Sequence, residues 1–375
     1  MNARERYIQT LTFGAPDRAP FRPGWPREST LKAWRTQGLG DDADWRDALS
    51  AELGFDWPEP KDPLMPGVSF QMMPKFEEKI LEHRDGHTIV QDWMGAITEI
   101  SDEYDVTYIR EAKDFVTRKW HKFPVENRDD WERMKTRFNA RTPGRFPDDF
   151  DARCERLKAR DYPVGVALSG PFWQMREWLG LETLCMKMVE DPALIHEMVE
   201  FWTAFVLDVL RPVLGRGILD EVGFNEDMAY KTRSMISPVM ARGFLMPAWT
   251  RWTDAIKASG VPIVWMDSDG YVGELIPLWI EAGINVCTPM EVAAGNDLVE
   301  LRRRFGTRMA YTGGLDKRAL AKGGDVMRAE LERVVPPLLE TGGFIPGCDH
   351  GVPPDISWPD FLAYSRFLAE LTGWL

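Results

Sequence analysis

The sequence predicts an α/β protein, a (β/α)8 TIM barrel with helical and β-hairpin embellishment in its N-terminal part. From residue 160 onward, short apolar runs alternate with amphipathic stretches, and from Val261 the runs start about every two dozen residues. This spacing leaves room for one helix between successive strands, as a parallel sheet requires. No glycine-rich dinucleotide fingerprint follows any run, which favours a barrel over a doubly wound sheet.

The N-terminal part, residues 1–150, has a less regular pattern. The stretch from Arg4 to Phe13 places apolar side chains on one helical face and predicts a helix. Further on, the pair Asp85-Gly86 lies between apolar or β-branched runs, a strong hairpin signal. We therefore expect a hairpin insertion at about 76–105.

The regular βα units are expected over residues 160–375, and the whole chain, 1–375, is predicted to form a single domain. The predicted strands are the apolar runs Val164–Leu168, Ile218–Phe224, Val261–Met266, Ile284–Thr288, Met309–Thr312 and Gly343–Pro346. The predicted helices are Leu181–Met188, Ala193–Leu210, Pro238–Ala258, Glu274–Ala282, Asp297–Phe305, Asp325–Glu340 and Trp358–Leu371.

Composition excludes several classes of function. The chain has 46 Lys and Arg against 59 Asp and Glu, a formal charge of −13, which argues against binding to nucleic acid or to anionic membranes. No apolar run approaches the ~20 residues that span a bilayer. The first residues lack an apolar signal core, so we expect a cytoplasmic protein.

The four cysteines form no CxxC pair, which is not the pattern of a disulfide framework or a thiolate zinc cage.

Polar residues follow nearly every predicted strand. Barrel enzymes place their chemistry at these carboxyl ends, so the candidates are Asn225, Glu226, Asp227, Asp267, Asp269, Glu291, Asp316, Asp349 and His350. So many carboxylates at one end of the barrel cannot all be ionised without strong electrostatic repulsion. They need protons, a cation, or cationic partners such as Lys317 or Arg318.

Some of these acids have a simpler interpretation. Asp297, Asp316 and Asp325 are placed as helix N-caps would be. Asp267 and Asp269 are different, because residues two apart in an extended chain point to the same side and could face one ligand.

Several segments carry a family likeness. They are Arg4-Glu5-Arg6, Asp17-Arg18-Ala19-Pro20, Ser169-Gly170-Pro171-Phe172-Trp173, Ile236-Ser237-Pro238, Asp267-Ser268-Asp269-Gly270, Gly313-Gly314-Leu315-Asp316-Lys317 and His350-Gly351-Val352-Pro353-Pro354. In this order, over nearly the whole chain, they resemble the uroporphyrinogen decarboxylase (URO-D) superfamily. The resemblance implies a (β/α)8 barrel and one of two chemistries. One is cofactor-free decarboxylation of uroporphyrinogen, and the other is methyl transfer to or from a corrinoid or thiol.

The chain departs from the decarboxylases at two places. Where they carry an arginine-rich Gly-Arg-Tyr-Leu-Pro segment, suited to the carboxylates of a porphyrinogen, this chain has Phe21-Arg22-Pro23-Gly24-Trp25-Pro26-Arg27-Glu28. The substrate tyrosine of that family falls near Glu177, where a carboxylate would repel an acidic substrate. The chain therefore looks closer to the methyltransferase-like members.

Those methyltransferases bind zinc through His-x-Cys and a later Cys. The matching positions here are Asp267, Asp269 and His350, an O,O,N set that suits zinc and would also accept Mn²⁺ or Fe²⁺. Cys348 lies two residues from His350 and is a candidate for a further, soft ligand.

The first hypothesis is a methyltransferase that moves a methyl group from a small methylated substrate to a corrinoid on a partner protein. The metal would act as Lewis acid, and Glu226 or Asp227 would manage the proton of the leaving heteroatom. Asp269 and His350 complete the catalytic set. The predicted substrate-binding residues are Arg22, Trp25, Arg27, Trp173, Glu177, Asn225 and Tyr230.

Two alternatives stay open. The first is a cofactor-free carboxy-lyase of uroporphyrinogen decarboxylase type. In this hypothesis Arg22 and Arg27 form ion pairs with the substrate carboxylates, and an aspartate at the carboxyl end of the barrel accepts hydrogen bonds from the pyrrole N–H groups. The second is a barrel that binds a small ligand without catalysis. The sequence leaves the substrate, the metal and the oligomeric state undetermined.

Overall fold

The computed structural model describes residues 1–375. Its ten strands are β1 (Lys79–Arg84), β2 (His87–Gln91), β3 (Ile97–Ser101), β4 (Lys119–Lys122), β5 (Gly165–Ser169), β6 (Glu221–Asn225), β7 (Ile263–Asp267), β8 (Val286–Thr288), β9 (Ala310–Leu315) and β10 (Phe344–Cys348).

Sixteen α-helices accompany them. They are α1 (Ala3–Leu11), α2 (Glu28–Trp34), α3 (Trp45–Leu53), α4 (Val106–Glu111), α5 (Arg128–Lys135), α6 (Phe150–Leu157), α7 (Pro171–Leu179), α8 (Leu181–Glu190), α9 (Pro192–Leu214), α10 (Pro238–Phe244), α11 (Met246–Ala258), α12 (Ile276–Glu281), α13 (Leu298–Phe305), α14 (Lys317–Leu320), α15 (Gly324–Thr341) and α16 (Trp358–Leu371). A π-helical turn, Arg35–Leu39, and two 3₁₀ turns, Val292–Ala294 and Gly306–Arg308, complete the elements.

The chain divides into two compact units. The first contains Met1–Pro66, Asp149–Gly170 and Pro212–Leu375, and the second contains Gly67–Asp148 and Pro171–Arg211. Each unit is described by itself below, and a single domain over 1–375 stays a prediction.

The first unit is built on a six-stranded parallel sheet in the order β10-β9-β8-β7-β6-β5. Each of the six predicted apolar runs forms one of these strands, so the predicted parallel α/β architecture is confirmed. The ladder is in register at its carboxyl end, where Asn225 of β6 pairs with Asp267 of β7. Because the strands are parallel, the residues that follow them emerge at one edge of the sheet.

The helices of the first unit begin and end where their sequences dictate. Asn2 and Glu5 form a capping box at the start of α1. The predicted helix Pro238–Ala258 is two helices, because Pro247 near the start of α11 lacks the N–H that a continuous helix would need.

The amino-terminal part of the parallel sheet is covered by α1. Tyr7 and Leu11 of this helix pack against residues from four neighbouring strands, namely Ile263, Val286, Ala310 and Ile345. All six side chains are at most 4% exposed. Burial of apolar side chains on this scale is the main stabilising contribution in such a core.

The second unit holds the antiparallel sheet β1-β2-β3-β4 and the helices α4, α5, α7 and α8, with most of α9. The predicted hairpin joins β1 and β2, and its turn residues Asp85 and Gly86 both have positive φ, at 51° and 75°, as a type I′ turn requires. Val90, Ile100 and Ile109 form a buried core cluster of this sheet.

None of the helices is long and apolar enough to cross a membrane.

Candidate active site

A cavity of about 400 Å³ lies against the carboxyl ends of β7 to β10 in the first unit. It brings together predicted site residues from widely separated parts of the chain: Arg22, Trp25, Asp227, Asp267, Asp269, Cys348 and His350. Ligand sites in parallel α/β proteins occur at this edge of the sheet, so the cavity is the candidate active site.

Two loops that carry acids are fixed to each other at the cavity. Asp227, after β6, has a positive φ of 38°, a conformation that costs free energy for a residue other than glycine. Its Oδ1 accepts a hydrogen bond from the backbone N–H of Asp269 at 3.1 Å. The backbone N–H of Met228 donates to Oγ of Ser268, also at 3.1 Å. The carboxylate of Asp227 and the backbone of Asp269 are thus held in place before any ligand arrives.

His350 connects two further segments of the cavity. Its Nε2 lies 3.2 Å from Oδ2 of Asp269, and its Nδ1 receives N–H groups from Arg27, at 3.0 Å, and from the backbone of Gly351, at 2.7 Å. Because Nδ1 accepts two hydrogen bonds, the ring proton belongs on Nε2, where it is donated to Asp269. Burial alone would raise the pKa of Asp269, but the bond from His350 holds it below its usual value.

Asp267, the last residue of β7, has a different environment. Its carboxyl group lines the cavity but takes part in no hydrogen bond or salt bridge with the protein. Burial first, and then the neighbouring carboxylates of Asp227 and Asp269, raise its pKa to about 8. Asp267 therefore carries a proton at neutral pH and exposes it to the cavity.

The only arginine in the cavity wall is Arg22. Its Nε and Nη2 donate to Oε1 of Glu59 at 3.0 and 2.8 Å, and its guanidinium lies 4.5 Å from the ring centre of Tyr7. Tyr7 in turn donates to Glu221, the first residue of β6. Arg22 is thereby anchored on one edge, while its remaining N–H groups are not used by these bonds.

Glu226 is outside the cavity, although it is adjacent to Asp227 in sequence. Its side chain is fully buried and accepts a hydrogen bond from Nε1 of Trp249 at 2.6 Å. Gly170 leaves the space for it, since a Cβ at this position would lie 2.1 Å from the carboxyl carbon. The geometry therefore assigns Glu226 to the packing of the βα loops.

Five predicted substrate-binding residues do not line the cavity, and one of them is Arg27, whose guanidinium contacts His350. Asn225 ends β6 and is half-buried, and Tyr230 is 56% exposed. Trp173 and Glu177 belong to the second unit, where the guanidinium of Arg176 lies 4.3 Å from the ring of Trp173 and burial raises the pKa of Glu177 to about 7. Their roles in substrate binding stay predictions.

The other strand-end acids have structural partners. Glu291 accepts Lys317 Nζ at 3.0 Å and the backbone N–H of Gly270 at 3.2 Å. Asp349 is fully buried and accepts the backbone N–H groups of Val292 and Lys317. These bonds tie neighbouring βα loops together at the sheet edge.

The predicted helix caps are correct at two of three positions. Asp297 and Asp316 accept backbone N–H groups at the starts of α13 and α14. Asp325 is not a cap, because α15 begins one residue earlier and its N-cap is Gly323.

Two polar side chains of the cavity wall were missed by sequence reasoning. Thr288 and Thr312 line the wall, and Oγ1 of Thr312 donates to Oγ1 of Thr288 at 2.8 Å. The available signal was weak: each is the polar last residue of a predicted apolar run. Such a threonine is as common in an ordinary strand as in a site.

The comparisons with known proteins agree with this architecture. The model of the family described as Uroporphyrinogen decarboxylase (URO-D) matches residues 119–365, more than half of the chain. The chain belongs to the URO-D family. A search of curated proteins found no match.

Among solved structures, a methyltransferase from Methanosarcina mazei is similar with a TM-score of 0.58 at 14% identity, covering 98% of each chain. A GH26 β-mannanase from Bacteroides ovatus is similar with a TM-score of 0.32 at 13% identity, covering 58% of this chain and 72% of the other.

The metal that the resemblance to URO-D-type methyltransferases implies can be tested against these residues. No group of three or more His, Cys, Asp or Glu side chains in the structure is arranged to hold a metal ion. Both ring nitrogens of His350 are engaged by protein groups, and burial raises the pKa of the Cys348 thiol to about 12, far from the thiolate that binds metals. In this arrangement the set does not fit a metal.

Proposed function

We propose that this protein is a methyltransferase that transfers a methyl group from a small methylated substrate to a corrinoid held by a partner protein. The observation that carries the proposal is the charge of the cavity wall. Two of its three aspartates, Asp227 and Asp269, are carboxylates at neutral pH, while its single arginine is already bonded to Glu59. A porphyrinogen with many carboxylates needs several arginines, so this wall favours a substrate of another kind.

The size of the cavity agrees with a small substrate. About 400 Å³ is within the range of pockets for small molecules, and is close to its lower end. The corrinoid would therefore stay with its partner at the mouth, and only the methyl donor would enter. The corrinoid supplies the nucleophile that accepts the methyl group.

The residues of this chain supply binding and the proton. When the bond between methyl carbon and heteroatom breaks, the electron pair stays on the heteroatom, which then needs a proton. Asp267 is protonated at neutral pH and faces the cavity, so it is the proposed proton donor in place of Glu226. The carboxylate of Asp227, fixed by the backbone N–H of Asp269, and that of Asp269, fixed by His350, orient the substrate.

The likeness to the Methanosarcina mazei methyltransferase supports the same fold for this chain. On that basis we propose that the six parallel strands belong to a (β/α)8 barrel.

The test is a methyl-transfer assay with purified protein, candidate methyl donors and free reduced cobalamin in place of the partner. Formation of methylcobalamin, followed by its absorption spectrum, is expected with the wild type and lost in Asp267→Asn. Asp297→Asn is the control, since this N-cap of α13 lies outside the cavity wall and asparagine caps helices equally well. Decarboxylation of uroporphyrinogen under anaerobic conditions, without methyl transfer from any donor, would overturn the proposal in favour of a carboxy-lyase.

A further inference from the structure

Two exposed aromatic side chains lie beside the opening of the candidate active-site cavity. Trp25 lines the cavity wall and is nevertheless 54% exposed, and Tyr230 is 56% exposed. No other aromatic side chain of the first unit is exposed to a comparable extent. Aromatic residues are enriched where proteins contact other molecules, so these two side chains indicate a contact surface.

Both residues are placed next to the bonded pair of His350 and Asp269. The backbone carbonyl of Trp25 accepts an N–H at 2.9 Å from the residue two places after His350 in sequence. The backbone carbonyl of Tyr230 accepts an N–H at 2.7 Å from the residue two places after Asp269. Since His350 and Asp269 both line the cavity, Trp25 and Tyr230 flank its opening.

The ring of Trp25 is held in one orientation. Its centre lies 5.4 Å from that of Trp45 and 6.4 Å from that of Trp57, both in edge-to-face geometry. The guanidinium of Arg46 lies 5.5 Å from the same ring centre. A ring that is already ordered loses little conformational entropy when a ligand packs against it. Because Arg46 already interacts with this ring as a cation, the surface that stays exposed suits an uncharged, flat group.

The turn 230–233 is rigid as well, and it carries positive charge. The N–H of Tyr230 donates to the carbonyl of Arg233 at 2.8 Å, and the N–H of Ser234 donates to Oε1 of Glu274 at 2.6 Å. The side chains of Lys231 and Arg233 are exposed and form no ion pair or hydrogen bond within the protein. In a chain with a formal charge of −13, two such cations beside the cavity indicate an anionic group on the ligand that docks there.

We propose that Trp25, Tyr230, Lys231 and Arg233 form the docking surface for the corrinoid that accepts the methyl group. The flat corrin ring packs on Trp25 and Tyr230, and the phosphate of its nucleotide loop is bound by Lys231 and Arg233. This inference rests on the proposed methyl transfer and names the residues that meet the acceptor. The methyl donor then lies inside the cavity and the acceptor outside it.

The position of the surface selects this occupant over a small substrate. Tyr230 is not part of the cavity wall, so a molecule that fits inside about 400 Å³ does not account for its exposure. Trp25 belongs to the wall and is also exposed, so a single group can contact both rings only from outside the cavity. A corrin macrocycle is too large for the cavity, is flat, and carries one negative charge on its phosphate.

The test measures binding without turnover, by anaerobic titration calorimetry of two corrinoids. Cob(II)alamin has the nucleotide loop with its phosphate, and cob(II)inamide has the same ring without the loop. Tyr230→Ala and Trp25→Ala are each expected to weaken the binding of both corrinoids roughly fivefold, because each removes one aromatic contact with the ring. Leu375→Ala is the control and should bind both corrinoids as the wild type does, because this side chain is 50% exposed and lies outside the cavity wall.

A double variant, Lys231→Gln with Arg233→Gln, separates the charge from the ring contact. It is expected to weaken the binding of cob(II)alamin roughly fivefold and to leave that of cob(II)inamide unchanged. Added salt should reduce the difference between the variant and the wild type, since both side chains are exposed. Equal affinity of the variant and the wild type for cob(II)alamin, or an equal loss for both corrinoids, overturns the phosphate contact.

A kinetic measurement separates this inference from the proposed function. In the methyl-transfer assay, Tyr230→Ala is expected to raise KM for free reduced cobalamin and to leave KM for the methyl donor unchanged, since Tyr230 lies outside the cavity wall. Methyl transfer with an unchanged KM for cobalamin in both aromatic variants, or no corrinoid binding to the wild type, overturns the docking surface. The expected losses of corrinoid binding without methyl transfer from any donor support the docking surface and overturn the proposed function.

Discussion

His350 and Asp269 are 81 residues apart in sequence and form a hydrogen bond of 3.2 Å between Nε2 and Oδ2. The other ring nitrogen accepts N–H groups from Arg27 and Gly351, so the imidazole is locked as one tautomer. A histidine engaged in this way orients a carboxylate. To bind a metal, it would first have to give up one of these bonds.

Metal analysis of the purified protein follows directly from this pairing. We expect the wild type, Asp267→Ala and His350→Ala to have equal metal content by elemental mass spectrometry, because His350 and Asp269 bind each other. One equivalent of zinc in the wild type, lost in both variants, would contradict this expectation.

The stability of the protein should depend on pH through Asp267. Its pKa is raised from 3.8 to about 8, so the folded state binds this proton more tightly than the unfolded state. The resulting stabilisation is fully present below the unfolded pKa and is lost as pH rises toward about 8. Asp267→Asn should remove this dependence, and above neutral pH the variant should be more stable than the wild type by a few kcal/mol. Urea unfolding at about pH 5 and about pH 9 measures the difference. Parallel curves for the two proteins would contradict the prediction.

The bond between Trp249 and Glu226 can be isolated with a matched tryptophan. Trp249→Phe removes the hydrogen bond that Nε1 donates to the fully buried carboxyl of Glu226, and should lower the free energy of unfolding by about 1–3 kcal/mol beyond the loss of ring contacts. Trp279 is equally buried, but its Nε1 makes no hydrogen bond, so Trp279→Phe is the control for ring size. Denaturant unfolding compares the two, and equal losses would show that the bond contributes nothing.

Gly170 is expected to tolerate no side chain. A Cβ there would lie 2.1 Å from the carboxyl carbon of Glu226, so Gly170→Ala must displace a buried group and should cost about 1–3 kcal/mol. Gly243 lies inside α10 with no atom within 4 Å of its Cβ position, and Gly243→Ala should be neutral or stabilising by up to ~1 kcal/mol. Thermal unfolding of both variants checks the contrast. A Gly170→Ala protein as stable as the wild type would refute the packing role of this glycine.

Local sequence determined the elements themselves. Apolar periodicity and turn residues identified the six parallel strands, the Asp85-Gly86 hairpin and the final helix, whose predicted bounds match α16. These signals are short-range, because strand and helix formation depend on which side chains recur on one face. The order of motifs also indicated the family to which the chain belongs.

Tertiary structure alone decided which candidate residues meet. Glu226 and Asp227 are consecutive acids after one strand, and nothing in their sequence tells which one faces the cavity. A positive φ at Asp227 turns that carboxylate toward the cavity, while Glu226 is buried against Trp249. Arg27 and His350 likewise come into contact across 323 residues. Such contacts depend on how loops pack at the sheet edge, and this packing is a property of the whole fold that no local pattern encodes.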